Sequence, residues 1–403
     1  MNSTIGDRVK DLREFRDLTQ EELADRAGVH VDTIRKLEQN KRQSARISTL
    51  RVLARALDVQ LERLVGQATV TQELSDDGGL IALRDAIQDI GALPGVPPVG
   101  DLEDPPSEDE WVSGVKAATG LYWSGDYSSL SGTLPLLLRD GRAVARQAPT
   151  PRVWAQLGLA YQLAACLSAQ AGHTDWAYTA VEKQLAAAER ASDPLLAGMG
   201  VSTLSWVLLR QGRWEQAQDI AARKAEDLEP GFLKATGPQL AVYGALLTAA
   251  ATPAARRDAH DDAMTLLRAA EAAAVRSGPV RAYGTAFSVV DVRTQRVNVS
   301  LAGTEPQPAA ALRFARKVDL KSIFRPVHWA AHRVDVAQAQ YQTGDSEAAL
   351  ETLLEVEAAQ PEWIRFQALA TATATVREMR ETERRRNPKL RGLAARLGVE
   401  PAL

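Results

Sequence analysis

Seven cations stand between residues 35 and 55 (Arg35, Lys36, Lys41, Arg42, Arg46, Arg51 and Arg55) against one acid, Glu38. A local excess of this kind is what meets a row of phosphates, although a basic run standing alone also describes a solvated helix face. Lys41, Arg42 and Arg46 fall in an expected loop, and Arg42 and Arg46 are assigned to phosphate. A second set of polar residues interrupts otherwise apolar stretches far downstream. Gln162, Tyr243, Asp291, Arg293, Gln295, Asn298 and His332 are the candidates there for holding a small ligand or a peptide. His328 and His332 lie four apart, a spacing that can hold a metal, but the further ligands a metal needs have no visible source. The lone Cys166 excludes an intrachain disulfide and a cysteine zinc site, and its apolar neighbours mark it as core. No P-loop, GxGxxG or GxSxG is present, so no enzyme chemistry, metal or cofactor is expected.

The elements that must position the first set are short. Thr19 is a good N-cap, and Glu22 three residues later completes a capping box. Leu23 and Ala27 give the helix that follows one apolar face. Gly28 permits a positive-φ turn, and a second helix starts near Val31 with Ile34 and Leu37 facing inward. That spacing is a helix-turn-helix, whose second helix enters the DNA major groove.

Residues 5–66 resemble the DNA-binding domain of the XRE family, the Cro and phage-repressor type. Leu18-Thr19-Gln20-Glu21-Glu22-Leu23-Ala24 and Leu53-Ala54-Arg55-Ala56-Leu57-Asp58-Val59 match its patterns for the second and fourth of five helices. The resemblance implies that Gln20 holds a backbone phosphate, in keeping with its place at a helix N-terminus. It also implies a structural pair between Arg13 and Glu38. Base readout then falls to His30, Val31, Asp32, Thr33 and Lys36, the first turn of the recognition helix and the position one turn later. Val31 suits a thymine methyl, Lys36 suits guanine, and Asp32 suits cytosine N4 or simply the helix N-terminus. The loop Asn40-Lys41-Arg42-Gln43-Ser44-Ala45-Arg46 is longer than is usual in the family and lacks its common proline.

The remainder of the 403 residues is expected to be helical: alanine is abundant, β-branched runs are scarce and aromatics are 5%. Residues 67–110 form an acidic, proline-containing linker, with eleven acids and one base, Arg84, from 71 to 110. Leu80, Leu83, Ile87 and Ile90 give it one amphipathic helix, which must cover its stripe on the C-terminal domain or on a second copy of itself. From 111 to 403, turn signals at Gly125, Gly172, Gly212, Gly303 and Gly344 each separate two apolar helices, the style of tetratricopeptide pairs. A further pair is placed between Gly237 and Gly278, turning at 253–257. Residues 284–301 are expected to form the helix with the weakest helical propensity, a candidate functional surface.

The whole layout resembles actinobacterial XRE regulators with tetratricopeptide sensor domains, which are distantly similar to peptide-pheromone receptors of Gram-positive bacteria. Where many of these carry Phe-Gly-Pro-Thr-Asn, this chain has Phe287-Ser288-Val289-Val290-Asp291. The expectation is an all-α protein: a five-helix helix-turn-helix domain at 1–66, the linker, and a TPR-like α-solenoid at 111–403. It would be a DNA-binding transcription regulator, cytoplasmic and nucleoid-associated, homodimeric, and responsive to a peptide or small-molecule effector. The alternative is a DNA-tethered scaffold whose solenoid binds a protein partner. No apolar run approaches the length of a membrane span.

Overall fold

The computed structural model describes residues 5–39, 47–57, 59, 77–89, 105–366, 371–382 and 387–399. The chain divides into two compact units, Met1–Ser75 with Thr373–Leu403, and Asp76–Ala372. These limits differ from the expected ones at both ends of the solenoid. The amphipathic helix of the acidic segment belongs to the second unit, and the C-terminal helices belong to the first.

In the first unit, α1 (Ile5–Phe15), α2 (Gln20–Ala27), α3 (Val31–Glu38) and α4 (Ile47–Ala56) surround one core. Leu12, Leu23, Ile34, Leu37, Leu53 and Leu57 fill it, one apolar stripe from each helix. The start of α2 is fixed as its residues require. The Thr19 hydroxyl accepts from the Glu22 amide, and the Glu22 carboxylate accepts from Thr19 N at 2.7 Å. The Thr19 hydroxyl also donates to the Glu22 carboxylate at 3.1 Å, and the bonds from Thr19 N and this hydroxyl hold the Glu22 carboxyl below its usual range. Gly28 ends α2 with φ +64°, where a side chain would be strained. The expected fifth helix lies outside the described residues.

In the second unit, α5 (Asp77–Ile87) precedes six antiparallel pairs. They are α6 (Glu108–Ser124) with α7 (Tyr127–Gln147), α8 (Pro151–Gln170) with α9 (Thr174–Arg190), and α10 (Pro194–Arg210) with α11 (Trp214–Asp227). Then come α12 (Gly237–Arg256) with α13 (His260–Ser277), α14 (Val289–Ser300) with α15 (Pro308–Ala315), and α16 (Pro326–Gln342) with α17 (Ser346–Ala359). This is a TPR-like α-solenoid. All five expected turn glycines take positive φ, from +75° to +91°. In the α12–α13 pair the turn is residues 257–259, later than the expected 253–257, and Asp258 takes the left-handed position at φ +64°. Its carboxylate accepts from Thr304 N at 2.7 Å and from the Thr304 hydroxyl. Pro253, expected at the turn, lies inside α12 instead. Having no N–H, it leaves the Ala249 carbonyl free, and that carbonyl accepts the Ser205 hydroxyl at 3.3 Å.

Among the described residues three further helices follow: α18 (Pro361–Phe366), α19 (Thr371–Thr382) and α20 (Pro388–Arg396). The first and last pairs of the solenoid meet: α6 touches α16, α7 touches α18, and the Glu362 carboxylate accepts from Ser128 N at 3.1 Å. The stripe of α5 is covered by its own chain. Leu80, Leu83 and Ile87 are buried against α7, α8 and α9, and Arg142 donates to the Ala86 carbonyl and pairs with Asp89. Ile90 lies outside the described residues.

The expected helix from Gly284 begins five residues later. Residues 280–287 form a hairpin, β1 (Val280–Ala282) antiparallel to β2 (Thr285–Phe287), with Ala282 paired to Thr285. Its two turn residues, Tyr283 and Gly284, both have positive φ, as a tight two-residue turn requires. Phe287 then packs on Gly244, where a Cβ would lie 2.0 Å from the ring.

Candidate functional site

On the first unit, the exposed face of α3 carries His30, Asp32, Arg35 and Lys36, with Val31 and Thr33 half-buried beside them. Ile34 and Leu37 anchor the opposite face in the core. His30 is the N-cap. Its Nδ1 accepts from Asp32 N at 3.3 Å, which leaves Nε2–H as the outward donor. Asp32 is engaged by Arg35 at 3.1 Å, so any contact it makes to cytosine competes with that pair. Lys41, Arg42 and Arg46 lie outside the described residues.

Behind this face, Arg13 meets Glu38 through two parallel bonds, Nε–Oε1 at 2.6 Å and Nη2–Oε2 at 2.9 Å. Its remaining arm donates to the Leu18 carbonyl. The bond to Glu38 raises the Arg13 pKa, and the Glu38 side chain is only 4% exposed. Gln20 joins the same group: its amide donates to Glu38 Oε2 at 2.7 Å. One buried carboxylate thus ties α1, α2 and the end of α3 together. The sequence pairs Arg13 with Glu38 only through resemblance, and it carried no sign of the Gln20 bond.

In the second unit the expected ligand residues separate into several environments. Tyr243 is core, edge-on to Phe232. Gln162 is buried, accepts from Gln184 at 3.3 Å, and packs under Gly284 at the hairpin tip. Gln295 donates to Thr252 and Asn298, and Asn298 donates to Asp335 at 3.1 Å. Burial pushes the Asp335 carboxyl up to about 7, against the lowering effect of the Asn298 bond. His332 is buried nearby in sequence, and burial pushes it down to about 4. Arg293 turns outward to Glu271, beside a groove of about 390 Å³ that also holds Arg296 and Lys317.

Asp291 alone of this set lines the larger groove, of about 580 Å³, between the hairpin, the start of α14 and Phe324. That volume falls within the range of small-molecule sites. Asp291 accepts from Ser288 Oγ at 2.6 Å and faces His328 Nδ1 at 3.3 Å. The other ring nitrogen of His328 faces Arg325 Nη1 at 3.3 Å. Both nitrogens of His328 are therefore engaged, and burial lowers its pKa. Among the described residues no cluster of His, Cys, Asp and Glu could hold a metal. Arg325 is buried over the Trp123 ring at 3.9 Å, and Arg281 lies over Phe324 at 3.1 Å. Sequence reasoning missed Trp123, Arg281, Phe324 and Arg325, because these come from α6, β1 and a loop and meet only after folding.

Residues 9–64 match the helix-turn-helix family model. The immunity repressor protein of Bacillus phage phi105 is 36% identical over 70 residues, which are 17% of this chain and 48% of the repressor. The chain thus spans about half the length of that curated relative. Among solved structures, Bacillus thuringiensis PlcR in complex with the peptide PapR7 and DNA is similar at 10% identity and a TM-score of 0.35, over 89% of this chain and 99% of PlcR. The apo form of the competence regulator ComR from Streptococcus vestibularis is similar at 14% identity and a TM-score of 0.28, over 89% and 98%. No helix among the described residues is long and apolar enough to cross a membrane.

Proposed function

We propose that this XRE-type helix-turn-helix protein with a TPR-like α-solenoid is a transcription regulator that answers to an effector. The observation that carries the reading is the pairing of an exposed α3 face bearing Arg35 and Lys36 on a helix-turn-helix domain with a ligand-sized groove in the solenoid. Base contacts come from His30, Val31, Asp32, Thr33 and Lys36. Phosphate contacts come from Gln20, Lys41, Arg42 and Arg46, with Gln20 acting through its backbone amide at the α2 N-terminus and the amide proton that Glu38 leaves free. The effector, a peptide or small molecule, occupies the groove at Asp291. The protein acts in the cytoplasm, on the nucleoid, as a homodimer on two half-sites about 34 Å apart. The α5 stripe is covered within the chain, so the symmetric contact comes from another surface.

Selection of bound duplexes from a random pool by the full chain tests this. Enrichment of a paired half-site is expected, and sedimentation should give a dimer. Uniform recovery of all sequences would overturn specific binding. A monomer bound to a single half-site would overturn the dimer. A second reading, a solenoid that docks a protein partner, is favoured by Leu233 and Val275, which are 91% and 69% exposed. Pulldown of a stoichiometric protein that Leu233→Asp and Val275→Asp release would support it.

A further inference from the structure

Arg325 gives the second unit a buried positive charge that no described carboxylate neutralises directly. A guanidinium has five N–H donors, and among the described residues only two of these are used. One goes to the Gly284 carbonyl and one to His328 Nε2, each at 3.3 Å. Both acceptors are neutral. For Nε2 to accept, the His328 proton must sit on Nδ1, where it faces Asp291. Asp291 therefore stands one residue away from the cation, and its other oxygen is taken by Ser288.

Arg325 Nε has no partner among the described residues, and neither does Trp123 Nε1, although both atoms are buried. The two donors share one corner, since the guanidinium lies 3.9 Å over the Trp123 ring. Burial without a direct counter-charge also pulls the Arg325 pKa down to about 10. Two orphaned donors lack an acceptor, and a desolvated guanidinium calls for a charged one. The adjoining groove supplies the rest. Phe287, Val289, Val290 and Phe324 make its walls apolar, and Arg281 brings a second cation to its rim. Phe324 precedes Arg325 in the chain, is half-exposed, and stands edge-on to Trp123 at 6.1 Å. Phe324 thus both lines the groove and packs against the Trp123 ring.

We propose that the Arg325–Trp123 corner, with Arg281 at its mouth, is a carboxylate-binding site, and that the effector is an apolar molecule bearing a free carboxylate. The proposal rests on the effector reading above. A planar guanidinium edge matches a carboxylate's two oxygens. The apolar body then lies along Phe287 and Val290, and Phe324 swings aside.

Calorimetric titration of the full chain with hexanoate and with its neutral isostere hexanamide tests this. Hexanoate should bind roughly tenfold or more tightly than hexanamide, the size expected of charged hydrogen bonds. Arg325→Gln should remove that preference. The exposed substitution Arg281→Gln should weaken hexanoate several-fold and leave hexanamide unchanged, and this variant carries the test if Arg325→Gln does not fold. Equal affinities, no binding of either probe, or a preference that survives both substitutions would overturn the site. Inorganic phosphate competing as well as hexanoate would show a general anion hole and overturn the carboxylate assignment. Binding to the duplex enriched by the selection above, measured with and without hexanoate, separates the two claims. Hexanoate that binds without changing DNA affinity leaves the site standing and counts against the regulatory reading.

Discussion

Two buried arginines, one in each unit, are held in opposite ways. Arg13 meets Glu38 with both edges of its fork, Gln20 closes the other side of that carboxylate, and a backbone carbonyl takes the remaining arm. Arg325 is as deeply buried, yet among the described residues it reaches only neutral acceptors and its Nε has no partner. The first arrangement uses its donors within the fold and so clamps three helices behind the exposed face of α3. The second keeps donors in reserve beside a groove. A buried charge that is fully paired is structural, whereas one that the chain leaves uncompensated marks a place for something else.

The contrast breaks most visibly in stability. Glu38→Ala strands Arg13 without its counter-charge and should cost roughly 3–5 kcal/mol, read as a fall in the melting of the helix-turn-helix unit. Arg325→Gln removes a charge that no described carboxylate contacts directly, so thermal melting of the full chain should stay at or above wild type. Equal destabilisation by both would erase the distinction.

Asp335 sharpens it within the solenoid. Its folded value of about 7 lies above the ordinary 3.8, so folding favours the protonated form. The resulting penalty is absent below about pH 4, grows as pH rises to about 7, and is complete above that. Asp335→Asn should therefore stabilise the protein by about 2–4 kcal/mol at pH 8 and by nothing near pH 3.5. His332, pushed down to about 4, works the other way and costs stability as pH falls from its ordinary 6.5 through about 4. Denaturant titrations of the variant across pH should thus uncover the His332 slope, and a gain that is constant with pH would refute the assignment.

On the DNA face the effects are smaller and fall on recognition. Lys36→Ala should relax preference at one base position by about 1–3 kcal/mol. Equal weakening on every sequence would make Lys36 a phosphate contact instead. Neutralising Arg42 and Arg46 should weaken all sequences alike and flatten the salt dependence by about 0.9 per lost contact. Smallest of all, Arg391 of α20 pairs with Asp17 within the first unit at 2.7 Å, partly exposed. Arg391→Ala should cost no more than about 1 kcal/mol of stability.

Local rules settled much of this molecule from sequence alone. The capping box at Thr19 and Glu22, the left-handed Gly28, the glycines at 125, 172, 212, 303 and 344, and the apolar stripes of α2 and α3 each depend on neighbours within a few residues. Spacing therefore reveals them. Tertiary structure decided what depends on contacts between distant segments. It chose the solenoid's own surface to cover Leu80, Leu83 and Ile87, because that surface is covalently present at high effective concentration. It grouped residues 373–403 with the helix-turn-helix unit, and it bent residues 280–287 into a hairpin whose Phe287 fills the space above Gly244. It also gathered Trp123, Arg281, Asp291, His328 and Arg325 around one groove. No period or motif could have announced that group: each member is ordinary in its own stretch, and only burial beside the others makes its charge or its unpaired donor matter.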